Sequence, residues 1–275
     1  MLTPWLELPG ARACLSTWSG LTGLDLIALG TGAATDVVRR TEIAQPLLTA
    51  AALLSGRAVL AGQAPDLVCG HSVGELSAIA LAGVITDDEA VVLAAGRGAA
   101  MASAAAQAPT GMAALLGGAL DEELVLAAGL EVATINVAGQ VVLGGPVAAL
   151  DAFVPPAGTR LRRLEVAGAF HTAAMAPARE AFAALVAQLR PSDPSCGVIA
   201  NADGAVLTDG QQILDRLVAQ LTGPVRFDLC LQAAAQANQA IELAPGGTLK
   251  ALLRRGLPDL AVRALSHPDD LLVNA

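Results

Sequence analysis

Gly70-His71-Ser72-Val73-Gly74 is the stretch of this 275-residue chain with the most direct chemical capacity. It lies between a short apolar run, Pro65-Asp66-Leu67-Val68-Cys69, and a run of helix formers from Glu75 to Ala82. A GxSxG element between strand and helix is the pattern of a nucleophile elbow, in which a tight turn allowed by the glycines lifts the serine hydroxyl above the sheet edge. The helix behind the serine aims backbone N–H groups at developing negative charge. The plainer alternative is a tight turn whose serine only caps that helix.

A serine at its ordinary pKa is a poor nucleophile and needs a base within hydrogen-bond reach. The chain has 3 histidines. On an elbow the His71 side chain points away from its neighbour, which gives it a structural, hydrogen-bonded role. His267 sits in the polar tail Ser266-His267-Pro268-Asp269-Asp270 and reads as a surface residue. His171 ends the Gly-rich turn Gly168-Ala169-Phe170-His171, where an inserted segment rejoins the main chain and a cleft commonly forms. His171 is the expected base.

The elements that must position these groups follow from composition and pattern. Hydrophobic residues make up 54% and charged residues 15%, so disorder is excluded and a well-buried core is expected. A net charge of −9 gives no general attraction to nucleic acid or anionic lipid. Cys14, Cys69, Cys196 and Cys230 lie far apart without metal-ligand spacing, which reads as reduced thiols and no metal site. The first ten residues carry Glu7 and no basic segment, unlike a secretory signal, and the longest apolar runs fall short of the ~20 residues a membrane span needs. A soluble, cytoplasmic protein is the expectation.

Residues 36–62 read as helical with an interruption near Pro46, and Thr86-Asp87-Asp88-Glu89 is a capping box opening a helix over 90–101. From about residue 107 short strands (111–116, 132–135, 140–143, 161–166) alternate with helical stretches near 121–129 and 146–153. Helices over 176–190, 208–222 and 229–239, strands over 197–200 and 240–243, and a last helix from Thr248 complete the pattern. The fold class is α/β: a hydrolase-like parallel-sheet core over 1–108 and 169–275 carries the elbow, and a small ferredoxin-like α+β subdomain is inserted over 109–168. Gly30-Thr31-Gly32-Ala33-Ala34-Thr35 superficially echoes a dinucleotide-binding loop, but no third small residue or ribose-binding acid follows, and it reads as an ordinary loop.

Six segments in order resemble the malonyl-CoA:acyl carrier protein transacylases and the acyltransferase domains of fatty acid and polyketide synthases. They are GHSVGE (Gly70 to Glu75), Arg97 in Gly96-Arg97-Gly98-Ala99-Ala100-Met101, NVAGQVVLGG (Asn136 to Gly145), GAFH (Gly168 to His171), Gln220-Leu221-Thr222-Gly223-Pro224-Val225, and ELAPGGTL (Glu242 to Leu249). The resemblance covers nearly the whole chain. It implies that Ser72 attacks the thioester of malonyl-CoA, with no bound cofactor, and that the acyl group passes to the phosphopantetheine thiol of acyl carrier protein. His171 would act as base and then acid, its ring oriented by the backbone carbonyl at Gln220. Arg97 would clamp the malonyl carboxylate in bidentate fashion. Phe170, as in Ala-Phe-His domains that accompany malonyl selection, would crowd a methyl branch, at ~1–3 kcal/mol per methyl.

The family also opens on a strand and a Gly-Gln-Gly-Ser-Gln-like loop that supplies one oxyanion-hole donor. This sequence starts at MLTPWLELPGA, so that first strand is expected to be absent, with the Val73 N–H as the remaining donor. Two other readings use the same residues: a serine hydrolase or thioesterase working through Ser72, and a non-catalytic carrier-protein-binding relative. Arg160, Arg162 and Arg163 form a basic patch that could meet CoA phosphates or the acidic carrier protein, or be a solvated strand face; Arg254-Arg255 has the same two readings. A monomer fits the family.

Overall fold

Four helices precede the first strand in the computed structural model, which describes residues 1–272. In chain order the elements are α1 (Ala11–Thr22), α2 (Leu26–Gly32), α3 (Thr35–Val38), α4 (Thr41–Leu60), β1 (Leu67–Cys69), α5 (Gly74–Leu81), α6 (Asp87–Ala105), β2 (Thr110–Leu116) and α7 (Glu122–Ala127). Then follow β3 (Glu131–Val137), β4 (Gln140–Pro146), α8 (Val147–Ala152), β5 (Arg160–Arg163), α9 (Ala176–Val186), β6 (Gly197–Ile199), β7 (Val206–Leu207) and α10 (Gly210–Ala219). The chain ends on β8 (Val225–Arg226), α11 (Phe227–Ala233), β9 (Gln239–Glu242), α12 (Thr248–Gly256) and β10 (Ala261–Ala264).

Two predicted local features come out differently. The break in the first long helical segment falls at Arg39-Arg40, and α4 runs straight through Pro46. Proline at this point removes one hydrogen bond, to the carbonyl of Glu42, and the helix keeps it because Ile43, Leu47, Ala50, Leu53 and Leu54 bury one side of α4 in the main core. The expected loop at Gly30–Gly32 is the last turn of α2; a Cβ on Gly30 would lie 2.4 Å from Leu2, so the glycine allows the N-terminal turn to pack. The helices at 11–22 and 26–32 and the strand at 261–264 escaped the sequence reading.

The described residues form three sheets. In the first, β1 and β6 pair in parallel with Leu67 opposite Gly197 and Cys69 opposite Ile199, and β7 adds antiparallel to β6. In the second, β9 and β10 pair in parallel. The third has the order β5-β2-β4-β3-β8, antiparallel except for β8, which arrives from residues 225–226 to run parallel to β3. Apolar residues alternate across this sheet: Ala113, Leu115, Val141 and Leu143 pack under α7 and α8, while Met112, Ala114, Ala133 and Val142 face the other way.

The largest core joins α1, α4, α5, α6 and α9. α6 begins on the predicted capping box, with both of its halves formed, and carries Asp87, Asp88 and Glu89 in its positive first turn. Its small residues let α4 come close: a Cβ on Gly98 would meet the Thr41 carbonyl at 2.7 Å. This packing carries Arg97, at 1% exposure, to the interior. α4 has the length and hydropathy of a membrane span, yet two thirds of that apolar window, 67%, is buried inside the protein.

A cavity of about 1360 Å³ separates the first two sheets. Every residue of β1 and of β9 lines it, and each of these strands has a partner on one side only.

Candidate active site

The elbow is built by one close approach and one strained residue. β1 ends at Cys69, and Gly70 passes so near the start of α5 that a Cβ would lie 2.0 Å from the Gly74 carbonyl carbon. Ser72 itself takes the left-handed conformation, φ 55°, so the strain expected of the glycines is carried by the serine. Gly74 has a negative φ and open space where a Cβ would go, so the second glycine of the motif is not needed for the turn. Val73 is the N-cap of α5. Its N–H lies ahead of the helical ladder, where the orphan donors of a helix start are found.

Asn201, which follows β6, ties the elbow down. Its Oδ1 accepts from the Ser72 N–H at 2.7 Å and its Nδ2 donates to the Gly70 carbonyl at 2.6 Å. This residue was not picked out from the sequence. The signal was its position just beyond the C-terminal end of a parallel strand, the edge where α/β sheets place their sites.

His171 also sits at positive φ, 63°, and its Nε2 lies 2.7 Å from Ser72 Oγ. Its Nδ1 is 2.9 Å from the Gln220 carbonyl oxygen. A carbonyl only accepts, so Nδ1 carries the proton and Nε2 offers its lone pair to the serine O–H. Burial, with the Arg97 charge adding to it, lowers the His171 pKa to about 3, so the ring is a neutral acceptor at pH 7.

Arg97 completes the cluster. Its Nη2 donates to Gln220 Oε1 at 2.6 Å and to Ser72 Oγ at 3.2 Å, and its Nη1 donates to Gln45 Oε1 at 2.7 Å. Among the described residues its buried Nε has no hydrogen-bond partner. Among the described residues Arg97 forms no ion pair, and burial lowers its pKa to about 10, which leaves it charged at neutral pH. Gln45 lies inside a long helix with no local motif and was not legible beforehand.

Phe170 is half-buried and packs against both the helical core and the inner face of the five-stranded sheet. His71 bonds Asn136 Oδ1 at 2.9 Å, tilts against the Phe227 ring at 5.2 Å, and has its pKa lowered by burial, in keeping with a structural role. His267 is exposed and caps a turn at 268–271. Arg163 of the basic patch is paired with Asp151 at 2.8 Å, and Arg255 donates to Gln140, so neither patch is wholly free. The large cavity reaches the elbow from behind, along Gly70, His71 and Val73, and Ser72, Arg97 and His171 are not among its lining residues. Among the described residues no group of three His, Cys, Asp or Glu is arranged to hold a metal ion.

A neutral imidazole that can accept a proton, a partly accessible serine and a buried guanidinium without an ion pair, within hydrogen-bond reach of the serine, are groups that can carry out nucleophilic acyl transfer. Residues 15–267 match the family of acyl transferase domains. The chain is 45% identical over 284 aligned positions to the malonyl CoA-acyl carrier protein transacylase of Mycolicibacterium smegmatis, covering 98% of both chains. It superposes on the crystal structure of MCAT from Mycobacterium tuberculosis with a TM-score of 0.92 at 46% identity, covering 98% of this chain and 93% of that one. A malonyl-transacylase solved in complex with its type II PKS acyl-carrier protein matches at a TM-score of 0.89 and 28% identity, covering 99% and 93%. This chain is a member of the acyl transferase domain family.

Proposed function

We propose that the protein transfers a malonyl group from malonyl-CoA to the phosphopantetheine thiol of acyl carrier protein through a malonyl ester on Ser72. His171 Nε2 takes the Ser72 proton as Oγ attacks the thioester carbonyl, and returns it to the departing CoA thiol. In the second half the same nitrogen deprotonates the carrier thiol, which displaces the serine. The Gln220 carbonyl holds the ring and stabilises the transient imidazolium. The Val73 N–H donates to the oxyanion, and Arg97 binds the malonyl carboxylate. Phe170 lines the acyl pocket on the side where a methyl branch would project.

The observation that carries this reading is Arg97: a fully buried cation that donates to the nucleophile's Oγ at 3.2 Å and to the amide oxygens of Gln45 and Gln220, with no carboxylate in contact among the described residues. Burying such a charge without a counter-ion in direct contact is costly, and the acyl carboxylate would supply that contact in the complex. We read the chain as two subdomains, a hydrolase-like body over 1–108 and 169–275 and a ferredoxin-like insertion over 109–168, with Ser72 from the first facing His171 at the junction. The exposed Arg160 and Arg162 on β5 would raise the association rate of an acidic carrier protein.

Intact-mass measurement after mixing with malonyl-CoA tests the proposal, with Ser72→Ala as control. A malonyl adduct on the wild type, absent from the variant and discharged by holo carrier protein, is the expected result. Discharge by water at the same rate without carrier protein would identify a hydrolase, and no adduct would overturn the assignment.

A further inference from the structure

Glu75 is a carboxyl group that the mechanism above leaves unused, although it sits 7% exposed in the first turn of α5, three residues from the nucleophile. Its Oε1 accepts from the Asn201 backbone N–H at 2.7 Å and its Oε2 from Gln220 Nε2 at 2.5 Å. Gln220 Nε2 is surrounded by oxygens, with the Ser72 carbonyl at 3.1 Å and Asn201 Oδ1 at 3.2 Å besides the carboxylate. That environment fixes which end of the amide is which: nitrogen toward Glu75, oxygen toward Arg97. We infer that Glu75 is a positioning residue for the acyl-carboxylate clamp, acting through the side chain of Gln220 on Arg97.

The inference rests on the assignment of Arg97 to the malonyl carboxylate and deepens it. A carboxylate placed directly on Arg97 would hold the guanidinium but would also compete with the substrate's own carboxylate. Interposing a neutral amide solves both requirements. Gln220 Oε1 and Gln45 Oε1 fix the plane of the guanidinium without a carboxylate in contact, and the Glu75 carboxyl group lies one amide away. When ionised, the Glu75 carboxylate is the stronger of the acceptors that hold the amide, since hydrogen bonds to ionised groups exceed neutral ones about twofold. Burial raises the Glu75 pKa to about 7, so the fold retains an acid here against its desolvation cost.

Glu75→Gln separates this role from a structural one. The new amide still accepts from Asn201 N–H, but its NH₂ then meets Gln220 NH₂, and relief of that clash turns Gln220 so that it presents NH₂ to Arg97. The readout is the ratio of kcat/KM for malonyl-CoA to that for acetyl-CoA, per active site counted from the acyl-enzyme burst. The ratio is expected to fall about tenfold or more, because the guanidinium loses its register. In a Gln220→Met background, which keeps the backbone carbonyl on His171, Glu75→Gln should leave the ratio unchanged within about twofold. Gln220→Met alone should reproduce the fall, which keeps the test available if Glu75→Gln does not fold. Equal losses with both substrates, an unmoved ratio in Gln220→Met, or the same change in both backgrounds would each overturn the inference. A wild-type protein that forms no malonyl-serine would instead overturn the reading on which it rests.

Discussion

At the residue scale, the two side chains proposed to react stand on left-handed backbone, Ser72 at φ 55° and His171 at 63°, conformations that cost non-glycine residues energy and persist where the surroundings over-determine them. Here Asn201 holds the Ser72 N–H and the Gln220 carbonyl holds the His171 ring. With its pKa lowered from 6.5 to about 3, His171 has a definite linkage to pH. The neutral ring's contribution to stability is fully present above 6.5 and is lost as pH falls toward 3, because the unfolded chain binds a proton the native state refuses. Urea denaturation of His171→Gln between pH 6.5 and 4 should show a slope of unfolding free energy against pH lower than wild type by up to about 1.4 kcal/mol per unit. Equal slopes would mean the histidine titrates normally in the folded protein. Arg97→Gln is expected to cut kcat/KM for malonyl-CoA about 10- to 100-fold while sparing acetyl-CoA, the range for losing hydrogen bonds to a charged group. Parallel losses for both acyl groups would remove the carboxylate from its partner list. Ser72, His171 and Arg97 were legible because each stands in a short motif or survives elimination among three histidines. Glu75 was quoted only as part of a motif, and Gln45 and Asn201 went unmarked because their roles exist only across 52 and 129 residues of chain.

At the scale of elements, the turn between β1 and α5 shows what pattern reading captures and what it overstates. Strand, elbow and helix were all anticipated, and so was the capping box of α6, because local chemistry dictates them. The glycines of GxSxG were credited alike, yet they differ: Gly70 has no room for a Cβ, whereas Gly74 has nothing within 4 Å of one. Gly70→Ala should therefore force backbone atoms of α5 apart and lower the melting temperature sharply, a loss of roughly 1–3 kcal/mol or more by the measure of overpacked sites. Gly74→Ala lies in a helix and should leave the melting temperature unchanged or raise it, with a gain of up to about 1 kcal/mol. Calorimetry of the two variants decides the matter, and comparable losses would show that the elbow needs both. Pro46 gave the opposite lesson. A proline is read as a helix breaker from sequence, but α4 is held by buried contacts along its length, and tertiary packing outweighs one missing hydrogen bond.

At the scale of the whole molecule, the site is held from segments far apart in sequence: the elbow at 70–74, Arg97 on α6, the turn at 168–171, Asn201 after β6 and Gln220 after α10. Packing around Gly168, where a Cβ would lie 2.6 Å from that of Ala105, fixes the turn that delivers His171 against α6. The support beneath the nucleophile is less complete. β1 is bonded to β6 on one side and faces the cavity of about 1360 Å³ on the other, and β9 faces the same space. Both of these strand edges border this space. In a parallel ladder alternate residues bond to opposite neighbours, so part of the amide protons of β1 and β9 have no strand partner. Hydrogen exchange followed by NMR should divide each of these strands into two classes differing about tenfold or more in rate, the faster class on the cavity side. β4, flanked by β2 and β3, should exchange slowly throughout and serves as the internal standard. Slow exchange along all of β1 and β9 would mean that their edges are covered in solution. Two classes would mean that Ser72 stands on a strand held from one side, with Asn201 as its main anchor, and that stiffness at the nucleophile depends on what borders β1.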